Sequence, residues 1–125
     1  MGKKHSPRFL ATVEQSRAAI QECDINEFSS MLNDGGDIVV IDVREQHEYD
    51  AGCFKGALHL SKGVIERDIE KHPITEDARI VLYCGGGFRS AIAAESLTRM
   101  GFSNVYSLWG GWRSLVAAGL ASPNQ

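Results

Sequence analysis

The chain of 125 residues predicts an α/β domain on a parallel sheet with helices on both faces, and three observations carry that reading. First, residues 37–42 and 80–83, with a weaker run at 105–108, are β-branched and apolar at nearly every position, as in strands buried on both faces. Second, segments with apolar residues at helical spacing lie between these runs. Third, the helical segments carry their own start or stop residues. Strands that alternate with helices call for parallel crossovers rather than hairpins.

The elements follow in order. Ser6-Pro7 reads as an N-cap with proline at the first helical position, ahead of Phe9, Leu10 and Val13 on one stripe. A helix of about three turns is expected there. Residues 19–23 are short enough for an edge strand. Asp24 with Glu27 three residues later is a capping box, so a second helix is expected over 25–33, stopped at Asn33-Asp34-Gly35-Gly36. A short helix over 64–71 ends before Pro73. Ala91, Ile92, Ala93, Ala94, Leu97 and Met100 mark another, closed by Gly101, and a last one over 112–118 stops at Gly119. The chain ends, near residue 1 and over 122–125, read as loose.

Composition bounds the function. Hydrophobic residues make up 43% and charged residues 23%, ordinary values for one globular domain. The formal net charge of −3 argues against a nucleic-acid partner. No apolar run is long enough to span a bilayer, and the basic start is broken by Glu14, Gln15 and Arg17, unlike a signal peptide. Three cysteines without paired spacing suggest neither a disulfide framework nor a zinc site. The expectation is one reduced, soluble, cytoplasmic domain without membrane contact, metal or cofactor. Charge is unevenly spread: residues 80–125 hold Arg89, Arg99 and Arg113 against Glu95 alone. Two readings fit, a chance difference between helix surfaces or a C-terminal third that faces an anion.

Chemistry concentrates in Tyr83-Cys84-Gly85-Gly86-Gly87-Phe88-Arg89-Ser90. A cysteine at the carboxyl end of a buried strand sits where parallel sheets bind ligands. Glycines after it let backbone N–H groups converge on an anion, and the following helix adds its positive end. These features favour a thiolate, and Arg89 adds a permanent charge. An inert buried cysteine is the bland alternative, but three consecutive glycines weaken a fold unless their conformation is needed.

Cys84 to Ser90 resembles the active-site loop of rhodanese-type sulfurtransferases, a cysteine followed by x-x-Gly-x-Arg-Ser. Asp42-Val43-Arg44-Glu45, then Gly52-Cys53-Phe54-Lys55-Gly56-Ala57, is similar to the family's Asp-Val-Arg-Glu segment and its Gly-His-Ile-x-Gly-Ala turn. Leu108-Trp109-Gly110-Gly111-Trp112 is similar to its closing Gly-Gly segment. The resemblance implies a rhodanese-like domain over 19–120 with a five-stranded parallel sheet, and leaves 1–18 as an N-terminal helical extension that either caps the domain or mediates a dimer. It also implies covalent transfer of a sulfane sulfur from a small anionic donor such as thiosulfate, through a persulfide on Cys84, to cyanide or a thiol acceptor, which could belong to a protein. Cys84 is then the nucleophile, and Gly85, Gly86, Gly87, Phe88 and Arg89 supply the binding N–H groups. Two roles fit Arg89: contact with the donor, or locking the loop through an acid.

Two other functions compete. A phosphatase or arsenate reductase of related architecture uses a cysteine–arginine loop one residue longer than this one. A rhodanese-like carrier or binding module would leave turnover to a partner. Cys53 departs from the family histidine and reads as small apolar filler, with a second, resolving thiol as the alternative. Trp109 and Trp112 read as core or pocket wall, and Cys23 as packing at a strand end. Asp42 is expected to cap its turn, Arg44 to pair with Glu48 or a backbone carbonyl, and His47, His59 and His72 to be exposed or capping. Residues 66–71 read as a solvated helix face.

Overall fold

The computed structural model describes residues 5–123, so the first residues and the Asn124-Gln125 end, both read as loose, lie outside it. Six α-helices and five strands alternate: α1 Pro7–Ala18, β1 Gln21–Cys23, α2 Ile25–Asn33, β2 Val39–Asp42, α3 Gln46–Asp50, β3 Leu58–His59, α4 Ile65–Asp68, β4 Ile80–Tyr83, α5 Phe88–Arg99, β5 Val105–Leu108 and α6 Gly111–Ala117. The sheet order is β1-β5-β4-β2-β3, and every neighbouring pair is parallel.

Local chemistry explains most boundaries. The capping box at α2 is complete: the Glu27 N–H donates to Asp24 Oδ1 at 2.8 Å, and the Asp24 N–H donates to Glu27 Oε1 at 2.9 Å. Ser6 occupies the N-cap of α1, with Pro7 at the first helical position, but its hydroxyl makes no cap bond. Strand β1 is shorter than residues 19–23 because Ala19 closes α1 through the Ser16 carbonyl. The expected helix over 64–71 is two pieces, α4 and a tight 3₁₀ turn at Ile69–Lys71. Ile65 and Ile69 within it are buried, so only its charged positions form a solvated face.

Strand alternation builds two cores. On β4, Ile80 and Leu82 with the following Cys84 join Ala93, Ala94 and Leu97 of α5 and Ile65 and Ile69 below it. Val81 and Tyr83 point the other way, into the cluster of Phe28 from α2 and Leu115 from α6. Cys84 is thereby carried to the carboxyl end of the central strand, on the α5 side.

Next to that strand end lies a buried ion pair. Arg44 donates to Asp42 through Nε at 3.1 Å and Nη2 at 2.8 Å, and Nη2 also donates to the Gly52 carbonyl at 2.7 Å. Asp42 also caps its turn, accepting the Arg44 N–H at 2.9 Å. Arg44 therefore does bond a backbone carbonyl, but its acidic partner is Asp42 and not Glu48. Its guanidinium lies 4.5 Å from the Trp112 ring centroid. His59 is half-buried rather than exposed: it stacks on Tyr49 at 4.6 Å and donates to the Arg44 carbonyl at 2.8 Å.

Removing one partner of a buried pair leaves an uncompensated charge, at a cost of about 3–5 kcal/mol. Asp42→Asn is expected to lower unfolding stability by about that amount in urea titrations, whereas Arg67→Gln, at an exposed pair with Asp68, leaves the midpoint nearly unchanged.

Candidate active site

Cys84 Sγ is seated by backbone. It accepts the N–H of Gly87 at 3.1 Å and that of Ser90, in the first turn of α5, at 3.4 Å. Its thiol lies 3.5 Å from the Ser90 hydroxyl, which bonds Ser107 of β5 at 2.7 Å, and both serines are fully buried. The positive end of the helix α5 stands beside the sulfur.

The loop is held from behind. The Trp112, Arg113 and Gly110 N–H groups donate to the carbonyls of Cys84, Gly85 and Gly86 at 2.7, 3.2 and 3.0 Å. With trans peptides, the N–H groups of Gly85, Gly86 and Gly87 then point away from that segment, and the last reaches Sγ. Gly111 is needed for the approach: a Cβ there, at a φ of +49°, would collide with the Cys84 carbonyl oxygen. Of the three loop glycines only Gly87, at φ +110°, needs a left-handed conformation. Gly85 and Gly86 have a different reason to lack side chains. A Cβ there would sit 3.3 Å from Arg89 Nη2 and 3.1 Å from Arg113 Nη2.

Arg89 grips Glu48 of α3 with two bonds, Nη1–Oε1 at 2.7 Å and Nη2–Oε2 at 3.1 Å. The guanidinium draws the Glu48 carboxyl down to about 2, and the Arg89 value rises in turn. Above Cys84 opens a cleft of about 1090 Å³. Trp109 and Trp112 line it as pocket wall, together with Lys62 and Arg113. Neither of those two cations has an acidic partner among the described residues. The C-terminal charge excess thus divides. Arg89 is neutralised by Glu48, Arg99 pairs with Glu95 at 3.4 Å, and Arg113 alone offers an unpaired charge to the cleft.

The remaining cysteines sit elsewhere. Cys23 packs at its strand end as expected, and burial together with Glu27 and Asp24 pushes its thiol up to about 12. Cys53 is half-buried beside Phe54. Sequence reasoning left out Glu48 as the partner of Arg89, and also Lys62, Arg113, His5 and Phe9 as cleft residues. Only the C-terminal charge excess hinted at any of them. Among the described residues no cluster of three or more metal-binding side chains occurs, and no helix is long and apolar enough to cross a membrane.

Comparison with known proteins agrees with this geometry. The model of the rhodanese-like domain matches residues 24–118. Thiosulfate sulfurtransferase GlpE of Pseudomonas fluorescens (strain SBW25) is 38% identical over 101 residues, covering 78% of this chain and 90% of that protein. The tRNA uridine(34) hydroxylase of Acinetobacter baylyi is 33% identical over 95 residues, 70% of this chain but 29% of that protein. The chain thus spans less than a third of the hydroxylases it matches. The solved polysulfide-sulfur transferase homodimer of Wolinella succinogenes superposes with a TM-score of 0.76 at 28% identity, covering 90% of this chain and 85% of that one. A cysteine seated by loop amides at the end of a central parallel strand, and a family match over most of the chain, lead to one conclusion: the chain belongs to the rhodanese-like domain family.

Proposed function

We propose that the protein is a sulfurtransferase that moves a sulfane sulfur from a small anionic donor such as thiosulfate to a thiol or cyanide through a persulfide on Cys84. The observation that carries this reading is the seat of Sγ, two backbone N–H groups beside a helix N-terminus. In the first step the Cys84 thiolate attacks the outer sulfur of thiosulfate. The new S–S bond forms as the old one breaks, and its electron pair leaves with sulfite. In the second, cyanide or a thiolate takes the terminal sulfur and the electron pair returns to Sγ.

The amides of Gly85, Gly86, Gly87, Phe88 and Arg89 hold the anionic donor and then the terminal sulfur. The Glu48 contacts favour Arg89 as the lock of the loop, so Arg113 and Lys62 are left to attract the donor. Four residues between Cys84 and Arg89, with that guanidinium already engaged by a carboxylate, disfavour phosphate ester hydrolysis. Turnover separates the enzyme from a carrier. The rhodanese-like domain is residues 19–120, with α1 as an N-terminal extension that caps it, and three free thiols suit a reducing cytoplasm.

The wild type is expected to form thiocyanate from thiosulfate and cyanide and to gain one cyanide-labile sulfur in intact mass spectra, whereas Cys84→Ser does neither. A wild type that takes up no sulfur from any sulfane donor would exclude the reading.

Gly111→Ala should cost about 1–3 kcal/mol of stability and at least tenfold in kcat/KM for thiosulfate, because the loop carbonyls must move. Thiocyanate assays beside urea unfolding measure both.

The Glu48–Arg89 pair has a defined pH signature. The folded value of about 2 lies below the ordinary 4.5, so ionised Glu48 contributes its full stability above 4.5 and loses it as pH falls from there toward 2. The stability difference between wild type and Glu48→Gln is expected to be constant above about pH 5 and to shrink through that window, as read from thermal unfolding at stepped pH.

A further inference from the structure

The cleft above Cys84 holds more than a small dianion can use. Its volume of about 1090 Å³ suits a drug-sized ligand. Beyond the cysteine loop, Trp112 and the paired Arg44, Arg89 and Glu48, its lining holds two chemical groups: Arg113 and Lys62 offer positive charge, and His5, Phe9, Phe88 and Trp109 offer aromatic surface. The aromatic rings form one connected cluster, with centroids 5.0 Å apart for His5–Phe88, 6.4 Å for Phe9–Phe88 and 5.8 Å for Phe88–Trp109. Two of them, His5 and Phe9, precede the residues matched to the family.

This wall is firmly attached. Val13 and Ser16 of α1 are buried, and the Ser16 hydroxyl donates to Glu95 of α5 at 3.0 Å. Arg17 pairs with Glu22 and lays its guanidinium 3.9 Å from the Trp109 ring centroid. The first turn of α1 thus carries Phe9 to the cleft on a fixed support.

Thiosulfate can use the cations but gains nothing from four rings. In a two-step transfer sulfite departs before the acceptor enters, so the second ligand has the whole cleft. We infer that the preferred acceptor is an anionic thiol with an aromatic body, its ring against Phe9 and Phe88 and its charge toward Arg113, and that His5 and Phe9 determine specificity for it. This rests on the sulfurtransferase reading above. In the acceptor step the thiolate sulfur bonds the terminal sulfur of the Cys84 persulfide. The Cys84–sulfur bond breaks, its electron pair returns to Sγ, and the terminal sulfur leaves, still anionic, as the acceptor's persulfide.

Persulfide-loaded protein is mixed with para-(mercaptomethyl)benzoate or with mercaptopropionate, which shares the carboxylate but lacks the ring. Phe9→Ala is expected to lower the ratio of the two transfer rates, aromatic over aliphatic, by about tenfold, the scale of one lost aromatic contact. A ratio within about twofold of wild type overturns the inference. Binding of para-methylbenzoate to unloaded protein, followed through the combined indole signal of the cleft residues Trp109 and Trp112, needs no sulfur chemistry and should weaken similarly in Phe9→Ala. Equal affinity in the two proteins overturns the aromatic wall. Phe9-dependent binding in a protein that accepts no sulfur from any sulfane donor overturns the sulfurtransferase reading, and with it the assignment of this ligand as acceptor.

Discussion

The carbonyls of Cys84, Gly85 and Gly86 all accept hydrogen bonds from residues 110–113, and the geometry of the site depends on that attachment. Because a peptide unit carries its N–H opposite its carbonyl, engaging the carbonyls on one side presents the amides on the other. Gly111 after β5 permits this approach, since a side chain there would strike the Cys84 carbonyl. The order of the sheet places the two partners together. Strands β4 and β5 are parallel neighbours, so their carboxyl ends, one leading into the cysteine loop and the other into the glycine pair, emerge side by side.

Electrostatics then sorts the four cleft cations. Arg44 is neutralised by Asp42, and Arg89 by Glu48. A paired arginine is a poor attractor for a ligand but a good brace, and both brace a strand-end loop. Lys62 and Arg113, without an acidic partner among the described residues, face the cleft. In the transfer proposed above, backbone amides would hold the anion nearest the reacting atom, and the cleft side chains would attract it from longer range.

The part of this design legible in the sequence was the part encoded locally. The capping box at Asp24, the β-branched run of β4 and the stop at Gly101 are decided within a few residues, and the structure has them in place. The short α3 and the two-residue β3 carry too little periodicity to read: α3 has a local capping box between Glu45 and Glu48 but is tied to α5 through Arg89, and β3 exists by pairing with β2. Long-range pairing was likewise invisible: Glu48 meets Arg89 across 41 positions. Arg44 shows the same weakness at short range, since Asp42 and Glu48 are both near in sequence and only burial decides for Asp42. Of the three loop glycines, the reading that all serve conformation holds for Gly87, while Gly85 and Gly86 leave room for guanidinium groups. The family match covers 24–118, so the contribution of His5 and Phe9 to the cleft had no motif to announce it.

The central claim is that backbone placement, rather than exposure, makes Cys84 the reactive thiol. Cys84 is only 1% exposed, whereas Cys53 is half-buried and easier to reach. Iodoacetamide labelling near neutral pH, resolved by peptide mapping for all three cysteines, tests this directly. The account predicts that Cys84 reacts fastest and that thiosulfate pretreatment protects it alone. Labelling that follows exposure, with Cys53 first and no protection of Cys84, would contradict it.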